Sequence, residues 1–157
     1  MGTDIHGFIE VRNSCIETSE PDDDELFFRW HPAIDLDHVY DGRSYAAFDC
    51  LFGVRGRSFE PLAAQRGIPR DASRATTRAF GREAEDAHSP SWISWAELEG
   101  ADWDSTESTE GLPVSEAPRT RRQVVHDEDW GDAWAVMALL AKRHGAENVR
   151  LVVWFDN

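Results

Sequence analysis

The chain has 157 residues, 41% of them hydrophobic and 29% charged, with seven Trp and eight Phe; that is enough apolar material to bury one core, and it excludes wholesale disorder. Sixteen Lys and Arg stand against 30 Asp and Glu, a net charge of −14 that repels a polyanion at long range and argues against general nucleic-acid binding. No window approaches the roughly 18 uninterrupted apolar residues of a membrane span, and the opening MGTDIHGFIEVR lacks the basic start and apolar run of a secretory signal, so a soluble cytoplasmic protein without a membrane partner is expected.

In chain order, residues 3–12 alternate as a strand, with Ile5, Gly7, Ile9 and Val11 on one face and Asp4, His6, Phe8 and Glu10 on the other. An acidic loop is expected over residues 15–25 and a second strand over 26–34. Residues 44–52 have helical spacing, placing Tyr45, Phe48 and Phe52 on one face, and Gly53 suits a left-handed terminator. Residues 54–69 are broken by Gly and Pro and read as an irregular, arginine-bearing, ligand-facing loop. Asp71 or Ser73 caps a polar helix expected to reach about residue 87. His88 falls in DAHSPSW, read as a turn, and Ser94 with Glu97 has capping-box spacing. A second acidic loop is expected over 99–118. Residues 129–144 carry Trp130, Trp134, Met137, Leu140 and Ala141 at helical steps, the two indoles read as core, and Gly145 ends that helix. Residues 149–155, rich in β-branched and aromatic side chains, read as a central strand.

Strands at both ends with helices between them predict a single α+β domain over 1–157. A small mixed or antiparallel sheet would have its N- and C-terminal strands as neighbours, with helices packed on it. Cys15 and Cys50 are too few and too far apart for a disulfide framework or a thiolate zinc site, and are expected as buried thiols.

Charge is unevenly spread. From Arg43 to Arg82 there are eight arginines against Asp49, Glu60 and Asp71, whereas acids cluster at 17–25, 97–110 and 127–132. Guanidinium groups suit phosphate. Asp4 and His6, two apart on a strand, share a face and could hold a metal or act together on a substrate. His88 in its turn could approach them, and Asp156 follows the last apolar residue.

The blocks MGTDIHGFIEVR, RSYAAFDCLFGVR, RGIPRDAS, HSPSW and VRLVVWFDN together resemble an uncharacterised family of small proteins encoded mainly by tailed phages and some prokaryotic genomes. That family usually shows MGCDIH, where this chain has Thr3. The resemblance implies a phage origin and hence the cytoplasm of a host cell. It also implies a set of candidate positions: Asp4, His6, Arg43, Tyr45, Arg55, Arg66, Asp71, Ser73, His88, Ser89, Trp92 and Asp156. It implies no reaction.

Two functions follow as expectations. The first is a binding protein that sequesters a nucleotide-derived, phosphate-bearing small molecule, such as a host defence signal. It would use His6, Arg43, Tyr45, Arg55, Arg66, Asp71, His88, Ser89 and Trp92 and need no cofactor. The alternative is a metal-assisted phosphoesterase or nucleotide hydrolase, with Asp4 and His6 on a divalent metal and Asp4, His6, His88 and Asp156 as catalytic groups. An acidic nucleic-acid mimic that binds a host protein is a third class, opposed by the arginine-rich segment. Assembly into a homo-oligomer is left open.

Overall fold

A computed structural model describes residues 2–12 and 30–157. Four strands, β1 (Asp4–Val11), β2 (His31–Asp35), β3 (His88–Ser94) and β4 (Val149–Asp156), form one antiparallel sheet in the order β2-β1-β4-β3. The helices are α1 (Tyr45–Phe52), α2 (Arg74–Glu83), α3 (Trp95–Gly100), α4 (Arg121–Val124) and α5 (Asp127–His144). The α+β expectation therefore holds, and the terminal strands are neighbours. β1 and β4 pair without a break from Asp4↔Asp156 to Val11↔Val149.

Period-two alternation gives the sheet two distinct faces. On one face Ile5, Ile9, Leu151, Val153, Phe155 and Ile93 join the main core with Phe48 and Phe52 of α1 and Trp130 and Met137 of α5. Phe155 meets the rings of Phe48 and Phe52 edge-on at 5.3 and 5.9 Å. On the other face Phe8 lies beside Trp154 at 6.3 Å, and α2 covers them with Phe80 edge-on to Trp154 at 5.7 Å. Since both faces are covered, β4 is buried at every residue from Val149 to Phe155, as a central strand requires.

Local chemistry sets the helix bounds. Ser44 caps α1, whose last turn closes on left-handed Gly53 (φ 69°), and Ser73 caps α2. Ser94 and Glu97 form the expected capping box of α3. Trp130 is fully buried, stacked between Tyr40 at 4.0 Å and Trp134 at 4.9 Å.

Several expectations need correction. The second strand begins at His31 rather than near residue 26; residues 26–29, the acidic loop at 15–25 and Cys15 lie outside the described residues. The polar helix stops at Glu83, short of residue 87. HSPSW is a strand rather than a turn. Pro90 is tolerated there because β3 is an edge strand and its pairing slips between His88 and Ser91. Tyr45 is 38% exposed and is not a core residue. Residues 101–120 hold no helix or strand beyond the Thr106↔Thr120 bridge, in keeping with the expected loop over 99–118. Cys50 is buried and free, and burial pushes its thiol up to about 11.

Gly7 marks the closest approach of β1 to β4. A Cβ there would lie 2.0 Å from the carbonyl oxygen of Val152. Gly7→Ala should therefore destabilise the protein by about 3 kcal/mol or more, since relief requires the two paired strands to part. Urea denaturation measures this, and a variant as stable as the parent would contradict the pairing.

Candidate functional site

β1 and β4 are paired over eight residues, so the two ends of their ladder are about 23 Å apart. The candidate residues divide between these ends. At the Asp4↔Asp156 end, Arg43 donates Nε and Nη2 to the two carboxylate oxygens of Asp4, each at 2.7 Å. Arg55 donates to the Thr3 hydroxyl and, at 2.9 Å, to Oδ1 of Asn157, with its guanidinium 5.8 Å from the Tyr45 ring centre. His6 Nε2 is 3.2 Å from Asp156 Oδ2, within ion-pair reach but outside hydrogen-bond alignment. These residues close the end of the sheet by satisfying one another.

His88 is near the same end but on the other face. It pairs with Phe155 and its ring stacks on that residue at 6.1 Å, with Nδ1 3.0 Å from Ser89 Oγ. His6 pairs with Trp154, one residue on and therefore on the opposite side. The sheet separates the two imidazoles, which corrects the expected grouping of Asp4, His6 and His88. Among the described residues no group of three or more His, Cys, Asp or Glu is placed to hold a metal ion.

At the Val11↔Val149 end the chemistry is different. Glu10 is fully buried and Arg150 is 3% exposed. Arg150 Nε donates to Glu10 Oε2 at 2.9 Å, and its Nη2 is 2.8 Å from that oxygen in ion-pair contact. The other Glu10 oxygen accepts the Ser73 backbone N–H at 2.8 Å and the Thr76 hydroxyl at 2.7 Å. The N-terminus of α2, a natural place for an anion, is thus occupied by the protein's own carboxylate. Arg150 Nη1 also donates to Asp71 at 3.0 Å, and Asp71 accepts the Trp30 indole N–H at 3.1 Å.

Beside this pair lies an open groove of about 680 Å³, lined by Arg12, Trp30, Arg66, Arg70, Asp71, Trp92, Glu97, Glu147 and Arg150, among others. Indoles and guanidinium groups alternate in its wall. Arg12 lies 5.3 Å and Arg150 3.9 Å from the Trp30 ring centre, and Arg66 lies 4.9 Å from that of Trp92, within cation–π range. Arg66 is fixed by Glu97, donating at 3.0 and 2.7 Å to its two oxygens. The hydrogen bonds from Arg66 hold the Glu97 carboxyl below its ordinary range, although partial burial opposes them.

Of the sequence candidates, this groove gathers Arg66, Asp71 and Trp92. Trp30, Arg70 and Arg150 were not anticipated. Arg150, a charged residue inside the one run read as a central strand, was the available signal. Four arginines face three carboxylates along the groove, so its own excess of positive charge is small. A second depression of about 380 Å³ adjoins it, lined by Arg70, Ala72, Arg74, Thr77 and Arg78. No carboxylate lines that one, and Arg70 belongs to both.

Two predictions test this electrostatic framework. Arg150→Met leaves Glu10 buried without its counter-charge and should cost about 3–5 kcal/mol in urea denaturation; a loss below about 1 kcal/mol would contradict the pairing. The carboxyls of Glu97 and Glu107 are both held below their ordinary 4.5, chiefly by hydrogen bonds from Arg66 and Arg119. Their contribution is therefore complete above pH 4.5 and is lost as pH falls through the depressed values. Stability followed from pH 7 to pH 3 should drop in that window, and less steeply in Arg119→Gln. An unchanged slope in that variant would show that Glu107 titrates normally.

No family model, curated protein or solved structure matches the chain, and the site is read from its own chemistry.

Proposed function

We propose that the protein binds a phosphate-bearing planar small molecule, of the nucleotide class, and holds it without converting it. The observation that carries this reading is the position of Arg70, which joins the tryptophan–arginine groove to a depression lined by three arginines and no carboxylate. A heteroaromatic ring finds the half-buried Trp92 and the guanidinium planes of Arg12 and Arg66 to stack on. The phosphate extends over Arg70, Arg74 and Arg78, whose guanidinium groups line the depression.

Binding is favoured over hydrolysis because His6 and His88, the histidines that the hydrolase reading uses, lie at the far end of the sheet from the groove and on opposite faces of it. A phage protein that sequesters a host signal, the reading that goes with the family resemblance, needs affinity and no turnover. Arg43 and Arg55, named as ligand contacts from the sequence, serve in this reading to close the opposite end of the sheet.

Calorimetric titration with ADP and with cyclic AMP tests the proposal. At least one should bind, with adenosine more than about tenfold weaker. Arg74→Ala and Arg78→Ala should each weaken binding by roughly tenfold or more, because a charge-assisted contact contributes about 1.5–3 kcal/mol. The nucleotide should be recovered unchanged by chromatography, with or without chelator. Equal affinity in both variants, or no binding of either nucleotide, overturns the placement; recovery of a converted nucleotide overturns the binding reading in favour of hydrolysis.

A further inference from the structure

A third concavity shares no lining residue with the groove or the depression beside it. It measures about 320 Å³ and is lined by Trp95, Leu98, Glu99, Trp103, Arg122, Val125, Asp127 and Trp134. Three of the seven tryptophans therefore meet in one place. Two of them are fixed in position. Trp103 donates its indole N–H to the Leu98 carbonyl at 2.8 Å. Trp134 has one ring face stacked on Trp130 at 4.9 Å with an interplanar angle of 16°, so the face away from Trp130 is the one left to the cavity.

Trp95, Trp103 and Trp134 pack against the core on one side, yet each is only partly buried, and the surface they leave uncovered lines an open cavity. Electrostatics narrows the occupant. The two acidic runs at 97–110 and 127–132, far apart in sequence, are brought together here by α3 and the start of α5. Glu99 and Asp127 line the cavity, and among the described residues neither forms an ion pair. The partial positive charge at the start of α5 is offset by Asp127, Glu128 and Asp129 in its first turn. The lone cation at the rim, Arg122, is exposed and turned to Asp104 at 3.4 Å. An anion would meet repulsion, whereas a poorly hydrated cation would meet indole faces and carboxylates together.

We infer that this cavity binds a methylated ammonium group, the class of cation for which aromatic walls and nearby carboxylates are complementary. Its volume of about 320 Å³ is ample for a single trimethylammonium or methylated-lysine head, and the bordering carboxylates disfavour the phosphate of a nucleotide. The inference is independent of the arginine groove and would stand if that site proved empty.

The test compares choline with its uncharged isostere 3,3-dimethyl-1-butanol, by calorimetry and indole fluorescence. Choline should bind saturably and at least about tenfold more tightly than the isostere, which isolates the contribution of the charge. Trp134→Leu should abolish binding. The double variant Glu99→Gln/Asp127→Asn, at exposed positions that leave the fold intact, should weaken it by about fivefold or more, and Arg122→Gln should tighten it by removing a competing cation. Equal affinity for the isostere would make the cavity merely apolar and overturn the inference. Unchanged affinity in the double carboxylate variant, weakened binding in Arg122→Gln, or no saturable choline binding would do the same.

Discussion

The carboxylate of Glu10 is the constraint on which the other parts of this end of the molecule depend. It is fully buried, and a buried charge is tolerated only when every lone pair has a donor. The protein supplies those donors from β4, through Arg150, and from the start of α2, through Ser73 and Thr76. One side chain therefore fixes the register of the central strand pair against the helix that covers the second face of the sheet. An apolar pair of similar volume could match its stability, but would not orient Arg150. Held by Glu10, that guanidinium lies over the Trp30 ring, 3.9 Å from its centre, and reaches Asp71, which builds the wall of the groove.

The sheet then acts as a partition. Its first face carries the aromatic and aliphatic core with α1 and α5; its second carries the charged pair and Trp154 under α2. Alternation along β1 and β4 assigns each residue to a face, and the unbroken antiparallel ladder assigns it to an end. Residues that look alike in sequence are separated as a result. Arg43 binds Asp4 at the start of β1 and Arg55 joins Thr3 to Asn157, whereas the arginines at 66, 70, 74 and 78 line two adjoining concavities.

Charge is partitioned in the same way. An acidic chain of net charge −14 presents one depression lined by arginines and, elsewhere, a tryptophan cavity bordered by carboxylates. Within the groove, Arg66 and Arg150 already have anionic partners, and this preorganises them while limiting their attraction for a phosphate. The adjoining depression adds the guanidinium groups of Arg74 and Arg78 to that of Arg70. Binding specificity here depends on which guanidinium groups the fold has left to a ligand, and the number of arginines in the segment does not reveal that.

The sequence by itself determined the architecture. Period-two alternation in β1, the apolar run over 151–155 of β4, the three- and four-residue steps of α5, the stop at Gly53 and the capping box of Ser94 and Glu97 are local signals, readable because each element's side-chain geometry is fixed by its own backbone. It also determined that Asp4 and His6 share a side and that the terminal strands are neighbours. HSPSW was misread because its proline denotes an edge position, which exists only once sheet order is known. The tertiary structure alone decided which candidates meet. His6 and His88 are parted by the sheet, Arg66, Asp71 and Trp92 gather at one end, and Arg70 bridges two concavities, because pairing register and face assignment convert residues far apart in sequence, 140 positions for Glu10 and Arg150, into contacts that no local pattern encodes.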